Sequence, residues 1–338
     1  MKRNAFRFAV RLPFWVVAGF LSLLSVLVPA VAGAADNPGE VKRKILELTG
    51  GRHTRIAWNQ NDKIRVFDTK EGVIRDTTLP GSQPLFTADG RKVLASGGKA
   101  GERFLAMYDF DTKRVSKVVT AAESNLLTVW RDVKARRDWV YVNDCGSKDQ
   151  AWDAPCGNVF RFPLDKPAAR EMCWDRTSSH FYLMFSEDGT RACFEPNWSN
   201  IGQLTVVYDA KGGIDQDKCQ FKPLGGGCFP GMAPDNSYRV FRLDGDHKAI
   251  TMCDADGANP RQVKVAEMPG VGDKGRNVWL TRWSTDPRFL TLMAPDGDDA
   301  KVWIGRFDSE FTKIEGWVQV TNDGPKCWQS HAWIAPRP

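Results

Sequence analysis

Five stretches of this 338-residue chain repeat one pattern at a spacing of about fifty residues. They are PLFTADGRKVLAS (Pro84 to Ser96), LTVWRDVKARRDWVYV (Leu127 to Val142), LMFSEDGTRACFE (Leu183 to Glu195), FPGMAPDNSYRVFR (Phe229 to Arg242) and TRWSTDPRFLTLM (Thr281 to Met293). Each sets a short apolar run, a polar turn and a second run of alternating apolar residues. Aligned on the turn, the marks fall at Asp89, Ala135, Asp188, Asp235 and Asp286, at intervals of 46, 53, 47 and 51 residues. That is the length of four short strands with their turns, and the period-two alternation is that of strands. Such self-similarity restricts the chain to a repeat architecture, here the blades of an all-β propeller.

Third strands are expected at Phe104–Phe110, Asn158–Phe162, Leu204–Asp209, Ala249–Cys253 and Val302–Phe307. The two ends complete one another. Arg55–Trp58, Lys63–Phe67 and Val73–Leu79 supply the second, third and fourth strands of a blade that lacks its first, and Ser330–Ile334 supplies a first strand that lacks its blade. Joined, they predict a six-bladed β-propeller closed by one C-terminal and three N-terminal strands, which pairs edges otherwise open to aggregation.

The blades FTADGRKVLAS, FSEDGTRACFE and APDNSYRVFR, with third-strand endings such as ITMCDADGANPRQV, resemble the WD40-like repeats of TolB-type propellers. The resemblance spans most of the chain beyond the first 34 residues. It implies a fold and no activity, because this scaffold hosts binding proteins, peptidase-associated propellers and lyases alike. The second blade departs from the pattern with Lys134-Ala-Arg-Arg137 in its turn, and the fifth with Asp286-Pro287. Docking in the manner of TolB is not implied, since only Ala35 to Thr54 precede the first strand.

Residues 1–34 read as a signal peptide. Lys2, Arg3, Arg7 and Arg11 precede an apolar core from Phe14 to Val28, and Ala32-Gly33-Ala34 offers a cleavage site before Ala35. The rival reading is a retained anchor, since Leu12 to Ala34 is long enough to span a bilayer. Cleavage predicts a periplasmic or secreted protein with no remaining membrane span, a short lead over 35–53 and one propeller over 54–338. Without the leader, 43 Lys and Arg face 41 Asp and Glu, a balance that gives no case for nucleic-acid binding. All eight cysteines follow the leader, and an even count in an exported chain suggests disulfides. Cys145 with Cys156 and Cys219 with Cys228 would each close one loop.

In a propeller the loops between second and third strands share a face with the loops entering each first strand. That face is expected to be acidic and to carry tryptophans, with Trp152, Asp153, Trp198, Asp246, Trp328 and Gln329 as ligand-face candidates. Rings beside carboxylates stack on sugars or hold cations. The opposite turns are basic. Three histidines, His180, His247 and His331, map to the ligand face and suggest a divalent metal. This loosely resembles the metal-dependent oligogalacturonate lyases, for which Arg282 and Lys274 would supply charge toward substrate carboxylates. No G-x-S-x-G, H-E-x-x-H or phosphate loop is present. The expectation is therefore a binding or scaffolding module for a protein segment or glycan of the cell envelope, with a metal-dependent polysaccharide lyase as the alternative.

Overall fold

A computed structural model describes residues 37–98, 103–119, 124–144, 157–175, 182–197, 200–265, 278–295, 299–322 and 327–337. Within them, 24 strands form six four-stranded antiparallel sheets, the blades of a ring. Blade 1 joins Cys327–Ile334 to Thr54–Gln60, Lys63–Asp68 and Val73–Pro80. Blade 2 comprises Ser82–Phe86, Lys92–Gly97, Phe104–Asp109 and Arg114–Val119. Blade 3 comprises Ser124–Asp132, Arg137–Asp144, Val159–Pro163 and Glu171–Trp174. Blade 4 comprises Met184–Phe185, Arg191–Asn197, Asn200–Thr205 and Gln220–Gly225. Blade 5 comprises Cys228–Met232, Val240–Leu243, Ala249–Cys253 and Arg261–Lys264, and blade 6 Trp279–Trp283, Phe289–Ala294, Lys301–Phe307 and Ile314–Gln319. The expected closure is present: Thr54 faces Ile334, Arg55 faces Trp333 and Ala57 faces His331.

The repeated aspartates act as turn formers. Asp89, Asp188, Asp235 and Asp286 each accept, through Oδ1, the backbone N–H two residues on, from Arg91, Thr190, Ser237 and Arg288. A side chain standing in for a backbone acceptor fixes the bend without a partner strand. In blade 3, where the sequence lacks this aspartate, Asp132 does the same for Ala135 N–H at 2.8 Å.

Turns of one blade also receive tryptophans of another. Trp333 donates its Nε1–H to Ala88 O at 2.9 Å, and Trp130 donates to Ser186 O at 2.9 Å. The first indole lies against Gly90, which has φ +68°, and a Cβ there would stand 2.2 Å from the ring. Gly90→Ala is therefore expected to cost about 2–4 kcal/mol, from left-handed backbone plus overpacking. Calorimetry should show a melting temperature several degrees lower; an unchanged melt would contradict this account of the seam.

The structure corrects three expectations. The third strand of blade 4 is Asn200–Thr205, not Leu204–Asp209. Thr205 already faces Arg191, the first residue of its partner strand, so pairing stops there. The segment 35–53 is more than a lead, since Pro38–Thr49 forms helix α1. Asn37 caps it by accepting Gly39 N–H, Pro38 begins it, and Gly50 at φ +68° ends it. Its Val41, Ile45 and Leu48 pack with Ile56, Trp58 and Phe67 of blade 1 and with Phe289, Val302 and Ile304 of blade 6. The helix thus covers the seam where the ring closes. Lastly, Cys219 and Cys228 are unbridged. The strand Gln220–Gly225 runs between them, about 17–20 Å of extended chain, whereas a disulfide needs Cα atoms within about 7 Å. Cys145 and Cys156 lie outside the described residues. Among the described residues no helix is long and apolar enough to cross a membrane.

Candidate functional site: the central channel

Leu85, Thr128, Met184, Arg282 and His331, one from each of five first strands, line a cavity of about 230 Å³, and Pro234 of blade 5 completes it. All six blades contribute, so the cavity lies on the axis of the ring. Ala88, Val133, Glu187 and Thr285 border it as well, which places its mouth among the turns between first and second strands. That is the face opposite the one expected to meet ligands.

Toward the other face the channel narrows. Gln83, Tyr182, Leu280 and Gln329 with Arg282 enclose only about 10 Å³, at the limit for one water. The constriction has a repeated backbone cause. Gln83, Phe229, Leu280 and Gln329, near the start of their first strands, and Tyr182, just before its own, have φ between +49° and +70°. Left-handed backbone costs a non-glycine residue roughly 1–2 kcal/mol. Register shifts accompany it in blades 1, 2, 5 and 6. Such bulges re-aim the side chains that follow. Gln329 also joins blades 1 and 2, its Oε1 accepting Gln83 N–H at 2.8 Å.

Two polar groups set the electrostatics. Arg282 is 8 % exposed, its guanidinium 5.6 Å from the centre of the Tyr182 ring. Burial lowers its pKa from the ordinary value, opposed by Tyr182 and Cys193, and no carboxylate acts on it among the described residues. His331 accepts Phe86 N–H through Nδ1 at 3.0 Å, so its neutral ring carries the proton on Nε2. Burial, and then the Arg282 charge, push its pKa down to about 3. It is neutral at physiological pH.

The residues singled out in the sequence divide sharply. Trp152, Asp153, Trp198 and His180 lie outside the described residues. Asp246 is exposed in the turn between the second and third strands of blade 5. Trp328 is half-buried against the apolar core between blades 5 and 6. Gln329 lines the constriction. His247 is packed against Phe229 and Trp279, with ring centroids 5.9 and 4.9 Å away. Contacts through Phe229, Tyr182 and Arg282 in succession separate it from His331. Among the described residues no three His, Cys, Asp or Glu side chains gather as metal ligands. The guanidinium beside His331 opposes a cation there and favours an anion. The sequence offered one signal for Arg282, a lone charge inside an apolar first strand (LTRWS).

No protein-family model and no curated protein matches this sequence. Solved structures do. TolB from Acinetobacter baumannii superposes with a TM-score of 0.56 at 9 % identity, covering 85 % of this chain and 69 % of that one. The shared fold is the six-bladed β-propeller. A chain of a nidogen/laminin complex matches at 0.54 and 10 % identity, over 84 % of this chain and 98 % of its own. A manganese-bound oligogalacturonate lyase reaches 0.44 at 16 % identity over 71 % of this chain and 64 % of its own, a likeness too low to bear on activity. At these identities the similarity shows fold alone.

Proposed function

We propose that this chain is an exported binding or scaffolding module of the cell envelope that engages a protein partner at an end of its central channel. One observation carries the reading: all six blades deliver residues to a single cavity, five of them from their first strands. Polar groups there are held in place. His331 is fixed by Phe86 N–H, and Ser284 donates its hydroxyl to Asp286 O at 2.7 Å. Such pre-ordered surfaces bind with little loss of freedom. The presence of a similar propeller in a nidogen/laminin complex supports a protein as the partner class. The basic start, apolar core and Ala-x-Ala site support export.

The test places a photo-crosslinking side chain at Val133, at the cavity mouth, at Asp246 on the opposite face, and at Met172 on the outer wall. Val133 and Met172 are both more than half exposed. In intact cells a discrete protein adduct is expected at Val133 or Asp246 and none at Met172, with the protein released by osmotic shock. Equal adducts at all three positions, or retention in the cytoplasm, would overturn the proposal.

A further inference from the structure

Arg282 has no hydrogen-bond acceptor and no carboxylate partner among the described residues, yet it is more than nine-tenths buried and borders the central cavity. A buried guanidinium is usually kept by a carboxylate or by several carbonyls, because its desolvation is otherwise uncompensated. Three other arginines with little-exposed side chains follow that rule. Arg161 meets Glu171 and Gly212 O, Arg55 meets Asp68 and Gly90 O, and Arg52 meets Asp286. Arg282 has only the face of Tyr182. Its partner is missing from the described fold.

We propose that the central cavity binds a monocarboxylate with a small apolar body, its carboxylate clamped by Arg282 and completed by the Nε2–H of His331. The charge count limits the ligand to a monoanion. One guanidinium faces the cavity, and the histidine beside it donates a proton without adding charge. Glu187 borders the mouth, but it is exposed and its carboxylate is engaged by Asn236 Nδ2 at 3.2 Å. Arg131 is paired with Asp138 at 3.3 Å.

The planar fork of a guanidinium matches a carboxylate with two parallel N–H···O bonds. A phosphate, with a charge of about −1.5 to −2 near neutral pH, would leave charge unmatched by the single guanidinium. The walls decide the rest of the ligand. Leu85, Phe86, Trp130, Met184 and Phe185 offer apolar and aromatic surface, which suits a phenyl or short alkyl group and does not suit a sugar. A space of about 230 Å³ is enough for a small acid and too little for a polymer.

The same chemistry comes from two sources, a free organic acid or the terminal carboxylate of a partner peptide ending in an apolar residue. The second source rests on the protein-binding reading above, and the first does not. Phenylacetate, phenylacetamide, and a tripeptide ending in phenylalanine as free acid or amide are titrated into the full protein by calorimetry. Binding of the acid, the peptide acid or both is expected, with each amide weaker by about 30-fold, the loss of a charged hydrogen-bonded pair. Arg282→Met should weaken the acids to the level of the amides. Without ligand that variant should melt at or above the wild-type temperature, since it removes an unpaired buried charge.

Equal binding of acid and amide would overturn the site, as would no binding of either acid at about 10 mM, well beyond a weak millimolar affinity. A melt of Arg282→Met far below wild type would overturn it too, by showing that the protein itself satisfies the arginine. Adducts at Val133 or Asp246 that persist when acids fail to bind would sink the carboxylate site alone. Acid binding without any protein adduct would sink the partner reading alone.

Discussion

Removal of Cys327–Pro338 is expected to abolish cooperative folding of the entire ring. The segment is the first strand of blade 1 and has no substitute, because the rest of that blade comes from the other end of the chain. Its loss strips six register pairs from Thr54–Gln60 and removes the buried side chains of Cys327, Ala332, Trp333 and Ile334, opening the core they fill. At about 1.5–3 kcal/mol for each large apolar side chain, and with the Trp333 anchor on Ala88 lost as well, the deficit rivals a whole domain's stability of about 5–15 kcal/mol. The vacancy also leaves the core shared by helix α1, blade 1 and blade 6 open on one side. Circular dichroism and limited proteolysis of the truncated protein should show no cooperative transition, and peptide 327–338 added in trans should restore part of it. A truncated protein that melts at the wild-type temperature would refute the closure.

Asp68→Asn is expected to be the most damaging single substitution at the seam. Asp68 accepts from His53 Nε2 at 2.8 Å, Arg55 Nε at 2.7 Å and Lys70 N–H at 2.8 Å, and its carboxylate is nearly buried. Arg55 in turn donates to Gly90 O and lies over the Phe110 ring at 4.1 Å, tying blade 1 to blade 2. An amide of the same shape leaves the guanidinium without its counter-charge and turns a donor toward it, at a cost of about 3–5 kcal/mol.

The pH dependence has a definite sign. Burial raises the Asp68 pKa, but hydrogen bonds from His53 and Arg55 outweigh it and hold the carboxyl well below the usual range. A group depressed on folding stabilises above its unfolded pKa, about 3.9, and loses that contribution as pH falls toward the folded value. The wild-type melting temperature should therefore drop below about pH 4. That of Asp68→Asn should be lower at neutral pH and flatter through the acid range. Parallel acid profiles for the two proteins would remove Asp68 from this role.

Much of the fold was legible because its determinants are local. Asp89, Asp188, Asp235 and Asp286 build their own turns within two residues. Alternating runs such as Lys92–Gly97 pair with the next strand, 7 to 17 residues along the chain. The signal for helix α1 was also present, in Asn37-Pro38, the spacing of Val41, Ile45 and Leu48, and Gly50. It lies outside the repeat, which begins only after it. The third strand of blade 4 was displaced because Leu204–Asp209 alternates as well as Asn200–Thr205 does, and only the position of Arg191 decides between them. The Cys219–Cys228 pairing looked close along the chain, and a strand's length separates the two thiols.

The sequence by itself determined the repeat, the number of blades, the closure between the chain's ends and the turn chemistry. The repeat and its turns rest on patterns within about fifty residues, where a side chain and the backbone it organises are neighbours in the chain. The closure follows because each end lacks the strands the other supplies. Only the tertiary structure decided the site. Arg282, His331, Phe86 and Trp130 come from four blades, and nothing near Arg282 in sequence reveals that no carboxylate among the described residues reaches it. Whether a charge is paired depends on what the other five blades place across the axis, and that is a property of the closed ring.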